Sequence, residues 1–162
     1  VPLLLAGTEE MEWVGSDVHD WTMSVGHRFW PGALTLVMLG NPNLPPLVSS
    51  PDRTVAVRVP ANSIARFLAK EIGGAIVGTS ANLSGGIDPV TPQQVSEQLK
   101  GRVDLILDDG PCPGGRASTI LDVSQPVWRI LREGPVTRED LVSAGFDCFL
   151  DHSTDLRSQG AY

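Results

Sequence analysis

The stretch Ala75-Ile76-Val77-Gly78-Thr79-Ser80-Ala81-Asn82-Leu83-Ser84-Gly85-Gly86 decides how this chain is read. An apolar run opens into hydroxyls, one amide and two glycines, and the turn-rich segment Ile87-Asp88-Pro89-Val90 follows. A short apolar run bounded in this way predicts a buried strand that ends in a loop. The glycines allow close approach, and the backbone N–H groups of such a loop can converge on a phosphate or carboxylate. In open α/β sheets, ligands sit beyond the carboxyl ends of strands, which is where Thr79–Gly85 falls. The competing reading is a plain surface turn, since Ser, Asn and Gly are common in turns.

Working outward, helical and extended patterns alternate. Leu3 to Ala6 reads as a short strand, and Asp17 to Arg28 as a helix with Ser16 as its N-cap. Val18, Trp21, Val25 and Phe29 recur there at helical spacing, and Pro31-Gly32 ends the segment. Ala33 to Leu39 and Thr54 to Val59 read as strands separated by the proline-rich loop Asn41 to Asp52. Pro60 to Ser63 starts a helix with Ile64, Phe67, Leu68 and Ile72 on its apolar face, stopped by Gly73-Gly74.

Beyond the loop, Thr91-Pro92-Gln93-Gln94 combines a Thr N-cap, Pro at the first helical position and Gln where a capping box needs it. Val103 to Leu107, Ser118 to Val123 and Val127 to Leu131 read as strands, and Thr137 caps a short final helix. The interleaving predicts an α/β domain with a twisted mixed sheet and flanking helices, spanning residues 1–145 with a tail over 146–162. Strand order is not readable from the sequence.

Composition narrows the function classes. Over 162 residues, 41% are apolar and 19% charged, as in a folded globular domain with a core of its own. No apolar run reaches the length of a membrane span and no signal-peptide pattern is present, so a cytoplasmic protein with no membrane partner is expected. Cys112 and Cys148 lack CxxC spacing, and His19, His27 and His152 are scattered, so no metal site is predicted. Asp108-Asp109 before Gly110-Pro111 reads as a solvated turn. The formal net charge of −7 argues against broad nucleic-acid binding, which needs a basic footprint. Ten arginines against two lysines suit planar carboxylate and phosphate contacts, although a GC-rich genome gives the same bias. The four tryptophans, Trp13, Trp21, Trp30 and Trp128, read as packing residues. Walker A, G-x-G-x-x-G, H-E-x-x-H and G-x-S-x-G patterns are all absent.

Six segments then fit together: His27-Arg28-Phe29-Trp30-Pro31-Gly32-Ala33-Leu34-Thr35, Val55-Ala56-Val57-Arg58-Val59-Pro60, the Thr79–Gly85 loop, Val103–Gly110, Ala117-Ser118-Thr119-Ile120-Leu121-Asp122, and Ile130-Leu131-Arg132-Glu133-Gly134. Each alone has a structural explanation. Their joint order and separations resemble the YrdC-like family of L-threonylcarbamoyladenylate synthases, from about Val1 to Ala144.

The resemblance implies an enzyme, a nucleotidyltransferase that joins L-threonine, bicarbonate or CO₂, and ATP into threonylcarbamoyl-AMP, with Mg²⁺ expected and tRNA modification as its destination. Carried over by position, Arg58, Thr79 and Ser118 would hold L-threonine. Ser80, Ala81, Asn82 and Arg132 would face ATP. The family's Pro-Thr-(Asp/Glu)-Thr-x-Tyr-Gly segment and following Lys-x-Arg motif are missing, so catalytic residues stay unassigned. Lys100-Gly101-Arg102 reads as an ordinary helix-end charge pair. The chain is accordingly expected to lack the family's N-terminal part, and to make little product without it. The alternatives are a non-catalytic module binding tRNA or double-stranded RNA, and a truncated pseudo-enzyme. Downstream tRNA-modification proteins are the other expected partners.

Overall fold

Leu34-Thr35-Leu36-Val37-Met38-Leu39 is buried at every position but the last and forms β2 (Leu34–Leu39), the middle strand of a seven-stranded sheet. The structure is a computed structural model, describing residues 1–112 and 116–151. The other strands are β1 (Leu3–Leu5), β3 (Thr54–Arg58), β4 (Ala75–Val77), β5 (Thr119–Asp122), β6 (Arg129–Arg132) and β7 (Phe149–Leu150). They lie in the order β4-β1-β3-β2-β5-β6-β7. The sheet is mixed: β1–β3, β2–β5 and β6–β7 are parallel, and the remaining neighbours antiparallel.

The two-residue period of a strand sends alternate side chains to opposite faces. Leu34, Leu36 and Met38 join Val55, Val57, Leu3, Leu5, Leu121 and Ile130 in the main core. Helices α1 (Met11–Val14), α2 (Asp20–Phe29) and α5 (Arg138–Ser143) feed that core with Met11, Val14, Val25 and Leu141. Val37, Ala56 and Ile120 form a second, smaller cluster with Leu131. Leu36 is fully buried, so its truncation to Ala should cost about 2–5 kcal/mol.

The described residues divide into two compact units. One combines Val1–Gly78 with the segment from Ala117 onward and contains the whole sheet. The other is Thr79–Arg116, whose regular element is α4 (Pro92–Leu99). The capping box expected at α4 forms: Thr91 Oγ1 accepts from Gln94 N, and Gln94 Oε1 accepts from Thr91 N. Thr137 caps α5 in the same way through Asp140.

Several expectations are corrected. Val103–Leu107 forms no strand. Val103, Leu105 and Leu107 are exposed, and with no neighbouring strand paired to the segment, β-propensity alone does not sustain a ladder. Ser16 does not cap α2. Its backbone N–H instead donates to Leu39 O, Asp17 turns into the left-handed region (φ 59), and the helix starts after His19. Helix α3 (Ser63–Glu71) is capped by Asn62 Oδ1, but Phe67, Leu68 and Ile72 are exposed and Ala69 is the buried position. β4 is an edge strand with Val77 57% exposed rather than a buried one. Trp13 and Trp21 stand exposed, while Trp30 is buried with Nε1 donating to Leu34 O at 2.7 Å. Phe149 and Leu150, placed by sequence in the tail, pair with Arg129 and Ile130.

Candidate functional site

Strand register assembles the site. Thr35 pairs with Ile120, and Ile120 with Arg132. Arg58 and Thr35 stand one step beyond the antiparallel pair Val57–Leu36. Arg58, Thr35 and Arg132 therefore occupy one lateral row across β3, β2, β5 and β6, although the sequence separates them widely. Thr35 and Arg58 are on the face that carries Val37 and Ala56, away from the main core.

Ser118, just before β5, ties the row together. Its hydroxyl lies 2.8 Å from that of Thr35, and both residues are buried. Its carbonyl accepts from Arg132 Nε at 3.1 Å and Nη2 at 3.0 Å, with Nη2 also 3.4 Å from the Ser118 hydroxyl. Arg58 Nε donates to Gly32 O at 2.7 Å, which fixes the direction of the guanidinium. No described carboxylate lies within ion-pair distance of Arg58. Burial, and secondarily the charge of Arg132, depress the Arg58 pKa. A guanidinium with an ordinary pKa above 12 stays charged regardless, so the shift marks a cation-rich, partly dehydrated place that an anion would relieve.

Two glycines make room for this arrangement. A Cβ on Gly134 would stand 2.3 Å from Ala117 O and 2.4 Å from Thr119 N, backbone atoms that cannot swing away. Gly134 N instead donates to Thr119 Oγ1 at 2.9 Å, holding the turn after Arg132 against the segment that carries Ser118. A Cβ on Gly32 would meet Phe29 O at 2.4 Å. Thr35, Gly32 and Gly134 were quoted above only as parts of motifs. Their site roles appear once the strands are paired.

Thr79, Ser80, Ala81 and Asn82 open the other unit. Thr79, Ser80 and Ala81 are exposed, and Asn82 is half-buried. Asn82 Nδ2 donates to Gly86 O at 2.9 Å and Gly86 N to Leu83 O at 2.7 Å, so the loop closes on itself. Gln98 of α4 pins it, accepting from Leu83 N and donating to Ile87 O at 3.0 Å. Gly85 has φ 78, the left-handed conformation that favours glycine. Arg58, Ser118 and Arg132 are thus brought together in the sheet-bearing unit, and Thr79–Asn82 form a self-supported loop in their own.

A mixed sheet flanked by helices, with arginines and hydroxyls converging in one row, defines the chain as an α/β domain. The Sua5/YciO/YrdC family model, described under telomere recombination, matches residues 1–134, and the chain belongs to that family. The chain is 41% identical over 115 residues to a threonylcarbamoyl-AMP synthase of Bacillus subtilis, covering 70% of this chain and 33% of that protein. It is 32% identical over 142 residues to the Pyrococcus abyssi threonylcarbamoyl-AMP synthase, covering 86% of this chain and 42% of the relative. The crystal structure of P. abyssi Sua5 complexed with L-threonine superposes with a TM-score of 0.85 at 30% identity, over 92% of this chain and 44% of that one. E. coli YciO gives 0.76 at 26% identity, over 86% and 68%. The chain therefore spans about a third to two fifths of the length of the curated relatives named here.

Proposed function

We propose that this chain is a threonylcarbamoyl-AMP synthase domain that joins L-threonine, bicarbonate or CO₂, and ATP, supplying the product for tRNA modification in the cytoplasm. The observation that carries the reading is the row of half-buried Arg58 and Arg132 with buried Thr35 and Ser118, in a chain that belongs to the Sua5/YciO/YrdC family.

The chemistry asks for little covalent help. The threonine amine adds to CO₂, forming an N–C bond and losing a proton. A carbamate oxygen then attacks the α-phosphorus of ATP, the bond to the β-phosphate bridging oxygen breaks, and pyrophosphate leaves. Reactants and product carry carboxylate, carbamate and phosphate charges close together. Positioning and charge neutralisation therefore supply the rate. In this reading Arg58 takes the threonine carboxylate through the guanidinium nitrogens not used on Gly32, and Ser118 contacts the same substrate. Arg132 faces the nucleotide phosphates, while its bonds to the Ser118 carbonyl hold its plane in place. The family resemblance gives Thr79 a threonine role and Ser80, Ala81 and Asn82 an ATP role, carried by their own loop.

Mg²⁺ belongs to this reading as the counter-ion of ATP. Among the described residues no group of three His, Cys, Asp or Glu is placed to hold a metal. Asp108 is occupied in accepting from Gly110 N at 2.8 Å. A cation that travels on substrate phosphates fits that donor set.

The test combines calorimetric titration of the protein with L-threonine and pyrophosphate release in the presence of ATP and labelled bicarbonate. Saturable threonine binding by this chain is expected, and threonine-dependent release, with label in the adenylated product, from a version extended by the family's Pro-Thr-x-Thr and Lys-x-Arg segments. Saturable threonine binding that survives Arg58→Ala would overturn the site. The described residues contain no helix long and apolar enough to cross a membrane.

A further inference from the structure

A second cavity lies at the opposite end of the same strands. Met38 and Leu39 close β2, and Val123 follows β5. They line a cleft of about 620 Å³ together with residues of the α2 entry, the β5–β6 turn and the segment after α5. Thr54, paired with Leu39, marks that end on β3, and Arg58 stands four residues further on, about 13 Å away at strand rise. No residue of the arginine row lines this cleft.

Its walls are aromatic and its charges acidic. Trp128 stacks on Phe146 with ring centroids 6.1 Å apart. Trp21 also lines the cleft, yet 66% of its surface faces solvent. Asp17 and Asp147 stand at the rim, with His19 3.9 Å from Asp17 and no Lys or Arg among the described residues of the lining. Asp17 also holds a left-handed backbone (φ 59), a conformation uncommon outside glycine and enriched at binding sites. The size suits a small molecule.

We propose that this cleft binds a small organic cation of the alkylammonium class. An anion would meet two carboxylates, with His19 as the single basic side chain among the described residues of the lining. A bare metal ion would find no group of three His, Cys, Asp or Glu placed to hold it among the described residues. A neutral apolar molecule would fill the space but leave the rim charges unanswered. An alkylated ammonium satisfies both features, since its methyl groups pack on Trp faces while its charge is attracted by the ring quadrupoles and by Asp17 and Asp147.

The test uses choline as probe and 3,3-dimethylbutan-1-ol as its uncharged isostere, followed by NMR of the indole N–H groups. Choline should give saturable shifts at Trp21 and Trp128, and bind about tenfold more tightly than the isostere. Trp21→Ala should weaken choline about fivefold, and Asp17→Asn with Asp147→Asn by a similar factor. Trp21 is exposed, so this variant should fold, and its L-threonine titration should match that of the parent. Equal affinity for choline and the isostere would reduce the cleft to an apolar pocket and overturn the proposal. So would the absence of saturable shifts, or shifts unchanged in the double Asn variant. Failure of threonine binding with choline binding intact would strike only the synthase reading.

Discussion

At one end of the sheet Arg58 and Arg132 share a half-buried space with the hydroxyls of Thr35 and Ser118. At the other, Asp17 and Asp147 rim a cleft walled by Trp21, Trp128 and Phe146. The strands between are apolar on both faces, with Val37, Ala56 and Ile120 as buried as the main core. Sheet position alone therefore does not set ligand preference. The charge of each end comes from residues at strand termini and in the adjoining turns. The arginine end is also the tighter one, because backbone meets backbone there around Gly134.

That difference in tightness gives the largest expected effect. Gly134→Ala forces a Cβ to within 2.4 Å of Thr119 N, and should destabilise the fold by about 3 kcal/mol or more. Trp21→Ala at the open end should stay within about 0.5 kcal/mol of the parent. Urea denaturation reads both, and equal midpoints would erase the contrast. Next, Arg58→Ala should weaken L-threonine binding by about 10- to 100-fold while the fold persists. Arg58→Lys should recover only part of it, because a point charge replaces a planar fork.

Thr35→Val is a smaller perturbation. It removes the 2.8 Å contact with Ser118 and should cost about 1 kcal/mol in stability. It should also weaken threonine binding, and Thr35→Ser should restore both. The smallest effect lies outside both ends. The backbone N–H of Thr137, foremost, and its hydroxyl hold the Asp140 carboxyl below its ordinary value of 3.8. A depressed carboxylate adds stability that is present above the unfolded pKa and lost as pH falls through the folded one. The urea midpoint should therefore drop as pH falls below about 3.8, and Thr137→Val should shallow that decline. An unchanged acid limb would mean that other carboxylates govern it.

Local chemistry made much of this legible. The central strands stand out as apolar runs, and the α4 and α5 caps are written in Thr91-x-x-Gln94 and Thr137-x-x-Asp140. Arg58, Ser118 and Arg132 are visible as members of motifs in a fixed order. Other features depend on neighbours the sequence does not name. Val103–Leu107 has strand composition but no partner, and Phe67 and Ile72 have helical spacing but face solvent. Thr35 looks like an ordinary β-branched strand residue until register sets it beside Ser118. Gly134 looks like a turn glycine until the backbone of Ala117 is found against it.

The Thr35–Ser118 contact joins residues 83 positions apart. Parallel pairing of β2 with β5 therefore waits on long-range encounters, the kind that slow folding. The arginine row exists only after that closure, since Arg132 is held by the Ser118 carbonyl. A ligand recognised by the whole row would bind the finished fold and not its precursors. At a hundred times its Kd, such a ligand adds about 2.7 kcal/mol to the folded state. Ligand supply and the persistence of the folded domain would then rise and fall together.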